Sequence, residues 1–272
     1  MKLDIMYPIA WSIGVTEIVT IQMLKPGLAL ATLNRPERRN ALCIELLETL
    51  CDQVERLAAE KSTRVLILRG AGPIFCSGLD LSEASNPELV QQSAKGIARA
   101  LQLMRQTRLI TIAAAHGGAY AGGAGLMASC DIAIGATDLQ VGFPEAQRGL
   151  LPALICGVLS PKIREGDLRE LFLVGNTIDA SRSQQIGLLQ RVVDRNDLLE
   201  ESIKIALGVL AGGPETIEAT KLLLNQAYIP NDSISIQRML EAHLGARHSS
   251  EAQEGLAAFI EKRRPNWITN KA

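Results

Sequence analysis

The chain has 272 residues and a net charge of −1, with 47% hydrophobic residues. This length allows one large domain or a core with an appendage, and the near-neutral charge provides no overall field to hold nucleic acid or an acidic membrane. Five cysteines without Cys-x-x-Cys spacing favour a reduced, cytoplasmic setting. The N-terminus carries an early acid and no long apolar region, and no uncharged apolar run reaches the roughly 18 residues of a membrane span, so we expect neither export nor membrane insertion.

The first part of the chain is a loose repeat of apolar strand, loop and amphipathic helix. Apolar runs bounded by turn residues predict strands, and apolar residues at helical spacing predict helices. We predict strands at 17–24, 28–33, 65–68, 109–115 and 131–135, and helices at about 43–59, 86–105 and 123–129. This alternation indicates an α/β core.

The last part of the chain changes character. After about residue 195 the predicted strands stop, and Pro214 and Pro230 mark breaks between helices. The predicted helices cover 197–210, 215–228, 233–247 and 249–263. We therefore divide the chain into a catalytic core at 1–195 and a helical C-terminal oligomerisation region at 196–272, which we expect to dock on another subunit.

Two glycine-bearing loops are the most informative feature of the core. Residues 74–81 follow the predicted strand at 65–68, and residues 122–125 (Gly-Gly-Ala-Gly) follow the strand at 109–115. If the two loops converge, each can present a backbone N–H group to one carbonyl oxygen. Such an oxyanion hole stabilises an enolate or a tetrahedral oxyanion. The bland interpretation of the second loop is a helix start where glycines permit close backbone approach.

Glu145 lies in a third loop, after Gly142, Phe143 and Pro144. One interpretation is an exposed carboxylate at the start of a helix, since glutamate side chains are mostly exposed. Its place at the end of a third strand–loop unit favours a functional role instead. A carboxylate held in an apolar pocket has a raised pKa, which suits proton transfer near neutral pH.

Three other patterns carry less weight. Residues 123–128 match the dinucleotide fingerprint, but its first glycine should end a strand directly and here it does not. Ser77 lacks the Gly-x-Ser-x-Gly context of a nucleophile and is interpreted as a loop former. The histidines have no ligand spacing to any cysteine or acid, so no metal site is predicted.

Several motifs occur together along nearly the whole chain. They are Asn34-Arg35-Pro36, Asn40-Ala41-Leu42, Phe75-Cys76-Ser77-Gly78-Leu79-Asp80-Leu81, Gly122-Gly123 through Cys130-Asp131-Ile132, Pro144-Glu145 and the ending from Gly255 to Asn266. Any one alone would be unspecific, but in combination they are highly specific. On these motifs the chain resembles the crotonase (enoyl-CoA hydratase/isomerase) superfamily.

The resemblance implies an α/β fold of the crotonase (ClpP-like) type, a superhelix of ββα units with an all-helical C-terminal region, assembled as homotrimers or dimers of trimers. It implies an acyl-CoA partner, with coenzyme A as part of the substrate and no separate cofactor. The thioester oxygen would accept hydrogen bonds from the N–H groups of Leu79 and Gly122, and Glu145 would be the acid/base. The implied substrate-binding residues are Arg38, Ser77, Asp80, Leu81, Gly125, Phe259 and Lys262, of which Phe259 and Lys262 match tail positions that approach the adenine end in a neighbouring subunit.

One departure concerns the catalytic acids. The best-known hydratases of the superfamily carry a second glutamate in the short helix after the glycines, where this chain has Gly125. A lone glutamate resembles Δ3,Δ2-enoyl-CoA isomerases, but the motif from Glu145 to Ala153 also resembles methylglutaconyl-CoA-type hydratases. We narrowly favour hydration of a 2-enoyl-CoA over isomerisation. A catalytically silent acyl-CoA or RNA-binding scaffold remains open, and a serine peptidase of similar fold is a distant third.

Overall fold

The computed structural model describes residues 17–84, 86–228 and 233–267. In chain order its strands are β1 (Val19–Lys25), β2 (Leu28–Leu33), β3 (Val65–Gly70), β4 (Ile110–Ala115), β5 (Gly118–Tyr120), β6 (Ile132–Ala136), β7 (Gln140–Gly142), β8 (Thr177–Asp179) and β9 (Arg191–Val193). Its helices are α1 (Ile44–Ala59), α2 (Leu81–Ala84), α3 (Val90–Gln106), α4 (Gly122–Ser129), α5 (Ala153–Leu159), α6 (Glu165–Val174), α7 (Ala180–Gln185), α8 (Leu198–Leu210), α9 (Pro214–Tyr228), α10 (Ser233–Arg247) and α11 (Ser250–Ile260).

The strands form two sheets. The larger sheet has the order β1-β2-β3-β4-β6-β9, antiparallel between β1 and β2 and parallel elsewhere. Every residue of β2 and β4 is buried, as expected for parallel strands that are covered on both faces. The smaller sheet, β5-β7-β8, pairs β5 with β7 in parallel and β7 with β8 antiparallel.

Alternate residues of the larger sheet enter two separate apolar cores. Ala29, Ala31 and Leu33 of β2 face a core that includes residues of α1, α3 and α4. Leu28 and Leu30 face a smaller core that α8 completes. The period-2 alternation of a strand thus lets one segment anchor helices on both sides.

The long predicted elements are confirmed with small changes of boundary, and one helix needs correction. The helix expected from residue 86 begins at Val90, because residues 87–89 form a turn in which the Asn86 side chain accepts a hydrogen bond from the Glu88 amide at 2.9 Å. The sequence analysis missed the three-residue strands β5, β7, β8 and β9 and the helices α2, α5, α6 and α7.

The C-terminal region packs on the core of its own chain. Its expected docking on another subunit stays a prediction. Helix α8 covers β3, β4 and β6, α10 packs on α3 and α5, and α11 packs on the turn at 146–148. Apolar residues of α8 supply the physical reason, since they close the second core. Helix α9 begins at Pro214, while the break expected at Pro230 and the N-terminal expectations lie outside the described residues. The boundary at residue 195 stays a prediction.

No helix in the described part of the chain is long and apolar enough to cross a membrane.

A buried asparagine holds the segment that leads into the first glycine loop. The side-chain nitrogen Nδ2 of Asn40 lies 2.9, 3.0 and 3.1 Å from the carbonyl oxygens of Ala71, Ile74 and Phe75. Its side-chain oxygen accepts a hydrogen bond from the backbone amide of Arg35 at 3.0 Å. Asn40 has a φ of 53°, a left-handed conformation that asparagine tolerates better than most residues. One side chain therefore organises both sides of the loop.

We predict that Asn40→Ala lowers the free energy of unfolding by about 3 kcal/mol, because it leaves buried carbonyls unpaired and puts alanine at positive φ. Asn40→Gly loses the same hydrogen bonds without the backbone strain and should be about 1 kcal/mol more stable than the alanine variant. Urea unfolding of both variants measures the two effects. An alanine variant as stable as the wild type would contradict this account.

Candidate active site

Main-chain hydrogen bonds join the two glycine-bearing loops to each other and to the segment that leads to Glu145. The Cys76 amide donates to Gly118 O at 3.1 Å, and the Tyr120 amide donates back to Cys76 O at 3.0 Å. The Ala121 amide donates to Gly142 O at 2.9 Å, immediately before the segment that carries Glu145. The backbone thus fixes the relative positions of all three loops without depending on a side chain.

The amides of Leu79 and Gly122 lie at the junction of the first two loops. An ideal side-chain carbon at Gly78 would lie 3.4 Å from the Gly122 nitrogen, so the loops are in direct contact. Leu42 pairs with the backbone on either side of Leu79, through Gly78 O and the Asp80 amide. Neither the Leu79 nor the Gly122 N–H group donates a backbone hydrogen bond within the described residues. Two uncommitted donors at one junction can bind an oxyanion.

Unusual backbone conformations bring these donors together. Gly78 has a φ of 92°, and a side chain there would lie only 2.8 Å from Tyr120 O. Ala121 has a φ of 49° and a ψ of −123°, which costs a non-glycine residue on the order of 1–3 kcal/mol. Strain of this size persists only where the surrounding structure enforces it, and here it directly precedes Gly122.

A cavity of about 660 Å³ opens beside this junction. All but two of the predicted site residues line it: Arg38, Ser77, Leu79, Asp80, Leu81, Gly122, Glu145 and Phe259. The structure therefore brings together residues from segments more than a hundred positions apart, including the C-terminal helix α11.

Gly125 and Lys262 do not line the cavity. Gly125 is buried within α4, and a side-chain carbon there would lie 3.2 Å from Ile155 Cγ1 and 3.5 Å from Leu101 Cδ2. The space beside it is thus filled by apolar side chains. Lys262 is exposed just after the end of α11.

Glu145 is 7% exposed, and its Oε2 atom has no hydrogen-bond partner within the described residues. Burial raises the pKa of Glu145 to about 7, against smaller lowering effects of a backbone hydrogen bond and of the nearby Arg148 cation. Near neutral pH the carboxyl group is therefore present in both its protonated and its ionised form. A group in this condition can both accept and donate a proton.

Asp80 also lines the cavity but is already engaged. Its carboxylate forms an ion pair with Arg35 at 2.6 Å and accepts hydrogen bonds from the amide and the hydroxyl of Ser82. Burial acts to raise the pKa of Asp80, but the hydrogen bonds from Ser82 and Arg35 together hold it below its usual value. Asp80 stays ionised and serves to fix the loop.

The cavity wall also carries titratable residues that the sequence analysis did not place in the site, among them Arg148, His243 and Arg247. Arg148 lies one turn after Glu145, with its guanidinium 4.1 Å from the centre of the Phe259 ring. His243 and Arg247 are four positions apart on α10, a spacing that puts both on one helix face. That spacing was visible in the sequence, but the direction of the face was not.

Known proteins resemble this chain in sequence and in fold. The enoyl-CoA hydratase/isomerase family profile matches residues 24–270. A mevalonyl-coenzyme A hydratase of Aspergillus fumigatus is 33% identical over 90% of this chain and 93% of that protein. A crystal structure of an enoyl-CoA hydratase from Mycobacterium avium has a TM-score of 0.85 at 30% identity, covering 93% of this chain and 100% of that one. An enoyl-CoA hydratase structure from Bacillus anthracis has a TM-score of 0.75 at 31% identity, covering 92% and 98%.

The chain belongs to the enoyl-CoA hydratase/isomerase family. The predicted resemblance and the α/β crotonase fold with its helical C-terminal region are confirmed.

We predict that Glu145→Gln gains stability relative to the wild type as the pH rises. The carboxyl ionises at a pKa of 4.5 when unfolded but at about 7 when folded, so the wild type loses stability as the pH rises through this interval. Glutamine does not ionise, and the variant should gain about 2 kcal/mol on the wild type between about pH 5 and pH 8.

Urea unfolding across this pH range is the measurement, with Glu88→Gln, at an exposed position outside the cavity, as the matched control. A difference between Glu145→Gln and wild type that stays constant with pH would show that the carboxyl group is not desolvated.

Proposed function

We propose that the protein adds water across the double bond of a 2-enoyl-CoA thioester, through an enolate held by the amides of Leu79 and Gly122. The buried carboxyl group of Glu145, whose Oε2 atom has no hydrogen-bond partner within the described residues, lies in the same cavity as these two amides and is the observation that carries the proposal. Donors that stabilise a developing oxyanion and a group with a pKa near 7 are the two components this reaction requires.

The two amides stabilise the charge that forms on the thioester oxygen. As a nucleophile bonds to C3, the electron pair of the C2=C3 bond moves toward C1, and the carbonyl oxygen becomes an enolate oxygen. The N–H groups of Leu79 and Gly122 donate to that oxygen, and each such donor contributes about 3 kcal/mol to transition-state stabilisation. The helix α4 that begins at Gly122 adds the positive end of its dipole.

Glu145 handles the proton in both halves of the reaction. Its ionised form accepts a proton from water while the water oxygen bonds to C3. Its protonated form then returns a proton to C2 as the enolate collapses to the thioester. Because the pKa of Glu145 lies at about 7, neither transfer is strongly uphill at neutral pH.

The remaining cavity residues suit the binding of coenzyme A. Arg38 is an exposed cation that lines the same cavity as Ser77 and Leu81, where it can meet phosphate groups. Phe259, stacked on Arg148, offers an aromatic face. Lys262 lies outside the cavity wall, so its contact with the nucleotide stays a prediction.

Isomerisation of a 3-enoyl-CoA is the second candidate, and the position of Gly125 favours it. Helix α4 contains no aspartate or glutamate and therefore contributes no second carboxylate to the wall, and Leu101 and Ile155 fill the space beside Gly125. One base suffices to move a proton between C4 and C2. The relatives named as hydratases support water addition instead, and the methylglutaconyl-CoA-like motif after Glu145 points in the same direction.

Mass analysis of a panel of 2-enoyl- and 3-enoyl-CoA thioesters separates the two reactions. We expect 2-enoyl-CoA products to gain the mass of one water. Products of unchanged mass with a shifted double bond would establish the isomerase and reject the hydratase.

Glu145→Gln is the control for this panel. It keeps the shape of the side chain but removes its acid/base function, so turnover should fall by a factor of about 10² to 10⁴ while acyl-CoA binding is retained. Full activity in this variant would reject the role of Glu145. A wild type that binds acyl-CoA and turns over no member of the panel would support the scaffold alternative.

We also propose assembly as a homotrimer or a dimer of trimers in the reducing environment of the cytoplasm. Leu222, Leu223 and Leu224 of α9 are each more than half exposed, and consecutive exposed leucines mark an interaction surface. All five cysteines are free thiols, as a reducing compartment requires.

We expect light scattering after size exclusion to give three or six times the chain mass. Leu223→Glu, which places a charge on the exposed leucines of α9, should reduce this mass without unfolding the protein. Glu55→Gln, at an exposed position on α1 and not on α9, is the control. A monomeric wild type would reject the proposed assembly.

A further inference from the structure

The wall of the cavity formed by α10 carries two polar side chains that the proposed reaction does not use. Arg247 is only 8% exposed, and its Nη1 atom is buried without a hydrogen-bond partner within the described residues. The Nε2 atom of His243, one turn earlier, is buried and unpartnered in the same way. Both residues line the cavity that holds Glu145.

An unpaired cation is costly inside a protein. Removing a guanidinium group from water without a partner costs several kcal/mol, and burial lowers the pKa of Arg247 to about 10, which still leaves it protonated at neutral pH. No carboxylate of the described chain lies within ion-pairing distance of it. A buried cation that no described residue pairs with, on the wall of a ligand cavity, is a site for an anion.

The neighbouring imidazole is uncharged. Burial first, and the Arg247 cation second, lower the pKa of His243 to about 4, against a hydrogen bond with the Leu151 backbone that raises it. The pair therefore presents one positive charge and one neutral polar ring to the cavity. This combination suits a monoanionic group more than a phosphate.

Helix α10 packs on α3 and α5, and these helices supply Ile97, Leu154 and Ile155 to the same cavity. Apolar side chains suited to an acyl chain thus lie on the helices next to the cation.

We propose that Arg247, assisted by His243, binds a carboxylate at the far end of the acyl group, so that the substrates are carboxyl-ended enoyl-CoA thioesters. This inference rests on the proposed function, because it assigns the acyl specificity of the same cavity. The guanidinium donates to the carboxylate, and His243 Nε2 provides a second polar contact, directly or through a bridging water.

The test measures binding of two saturated five-carbon thioesters that differ at one end only. Glutaryl-CoA ends in a carboxylate and pentanoyl-CoA ends in a methyl group. We expect the wild type to bind glutaryl-CoA roughly 10- to 100-fold more tightly than pentanoyl-CoA in isothermal titration calorimetry, the range of a charged hydrogen bond. Arg247→Met should abolish this preference and change pentanoyl-CoA binding less than about threefold.

Two further variants guard against misfolding. Arg105→Met removes a half-buried arginine, which donates to Gly157 O at 2.9 Å outside the cavity, and should leave the preference intact. Arg247→Lys keeps the charge and should keep part of the preference. If Arg247→Met does not fold, the preference for glutaryl-CoA is compared between the wild type and Arg247→Lys instead.

The inference is overturned if the wild type binds both thioesters with equal affinity, or if Arg247→Met retains the preference. A hydroxyl-ended five-carbon thioester that binds as tightly as glutaryl-CoA would also overturn it, because the charge would then be irrelevant. Saturated thioesters cannot be hydrated, so this outcome is independent of turnover. A wild type that prefers glutaryl-CoA but hydrates nothing would reject the proposed function alone.

Discussion

The backbone hydrogen bonds that join residues 76, 118, 120, 121 and 142 are the constraint on which the site depends. They connect the ends of two neighbouring parallel strands to the smaller sheet, and so place two amides and one carboxylate around a common cavity. Because these bonds use only main-chain atoms, side chains in the loops are free to vary with the ligand. The cost is the strained conformation of Ala121, which the surrounding bonds enforce.

The C-terminal region completes the site by close backbone packing. A side-chain carbon at Gly149 would lie 2.4 Å from Glu251 O, and one at Gly255 would lie 2.4 Å from Arg148 O. Only glycines permit α11 to approach the turn after Glu145 so closely. This contact seats Arg148 against Phe259 and helps to keep water away from Glu145. The pKa of the carboxyl group is therefore set partly by a helix more than a hundred residues away.

The sequence allowed the long elements and the three site loops to be predicted, because their signals are local. Strands β2, β3 and β4 are continuous apolar runs, and the helical spacing of α1 is plain. Strands β5, β7, β8 and β9 have only three residues each, too few for any periodicity. They form because neighbouring strands offer unpaired backbone groups, which is tertiary information. Likewise, the spacing of His243 and Arg247 was readable, but the side of α10 that faces the cavity depends on its packing against α3 and α5.

In this cavity, proton transfer depends on a single carboxylate, and the cations are left for binding. A site with two acids can assign one to each proton transfer, whereas a site with one acid must use it twice. That is feasible only if the pKa lies near the working pH, and burial of Glu145 meets this condition. The raised pKa would be lost if a strong cation paired directly with the carboxylate, since an ion pair favours the ionised form. The Arg148 cation, held on Phe259, only partly offsets the effect of burial, so positive charge can serve binding in this cavity while Glu145 keeps its raised pKa.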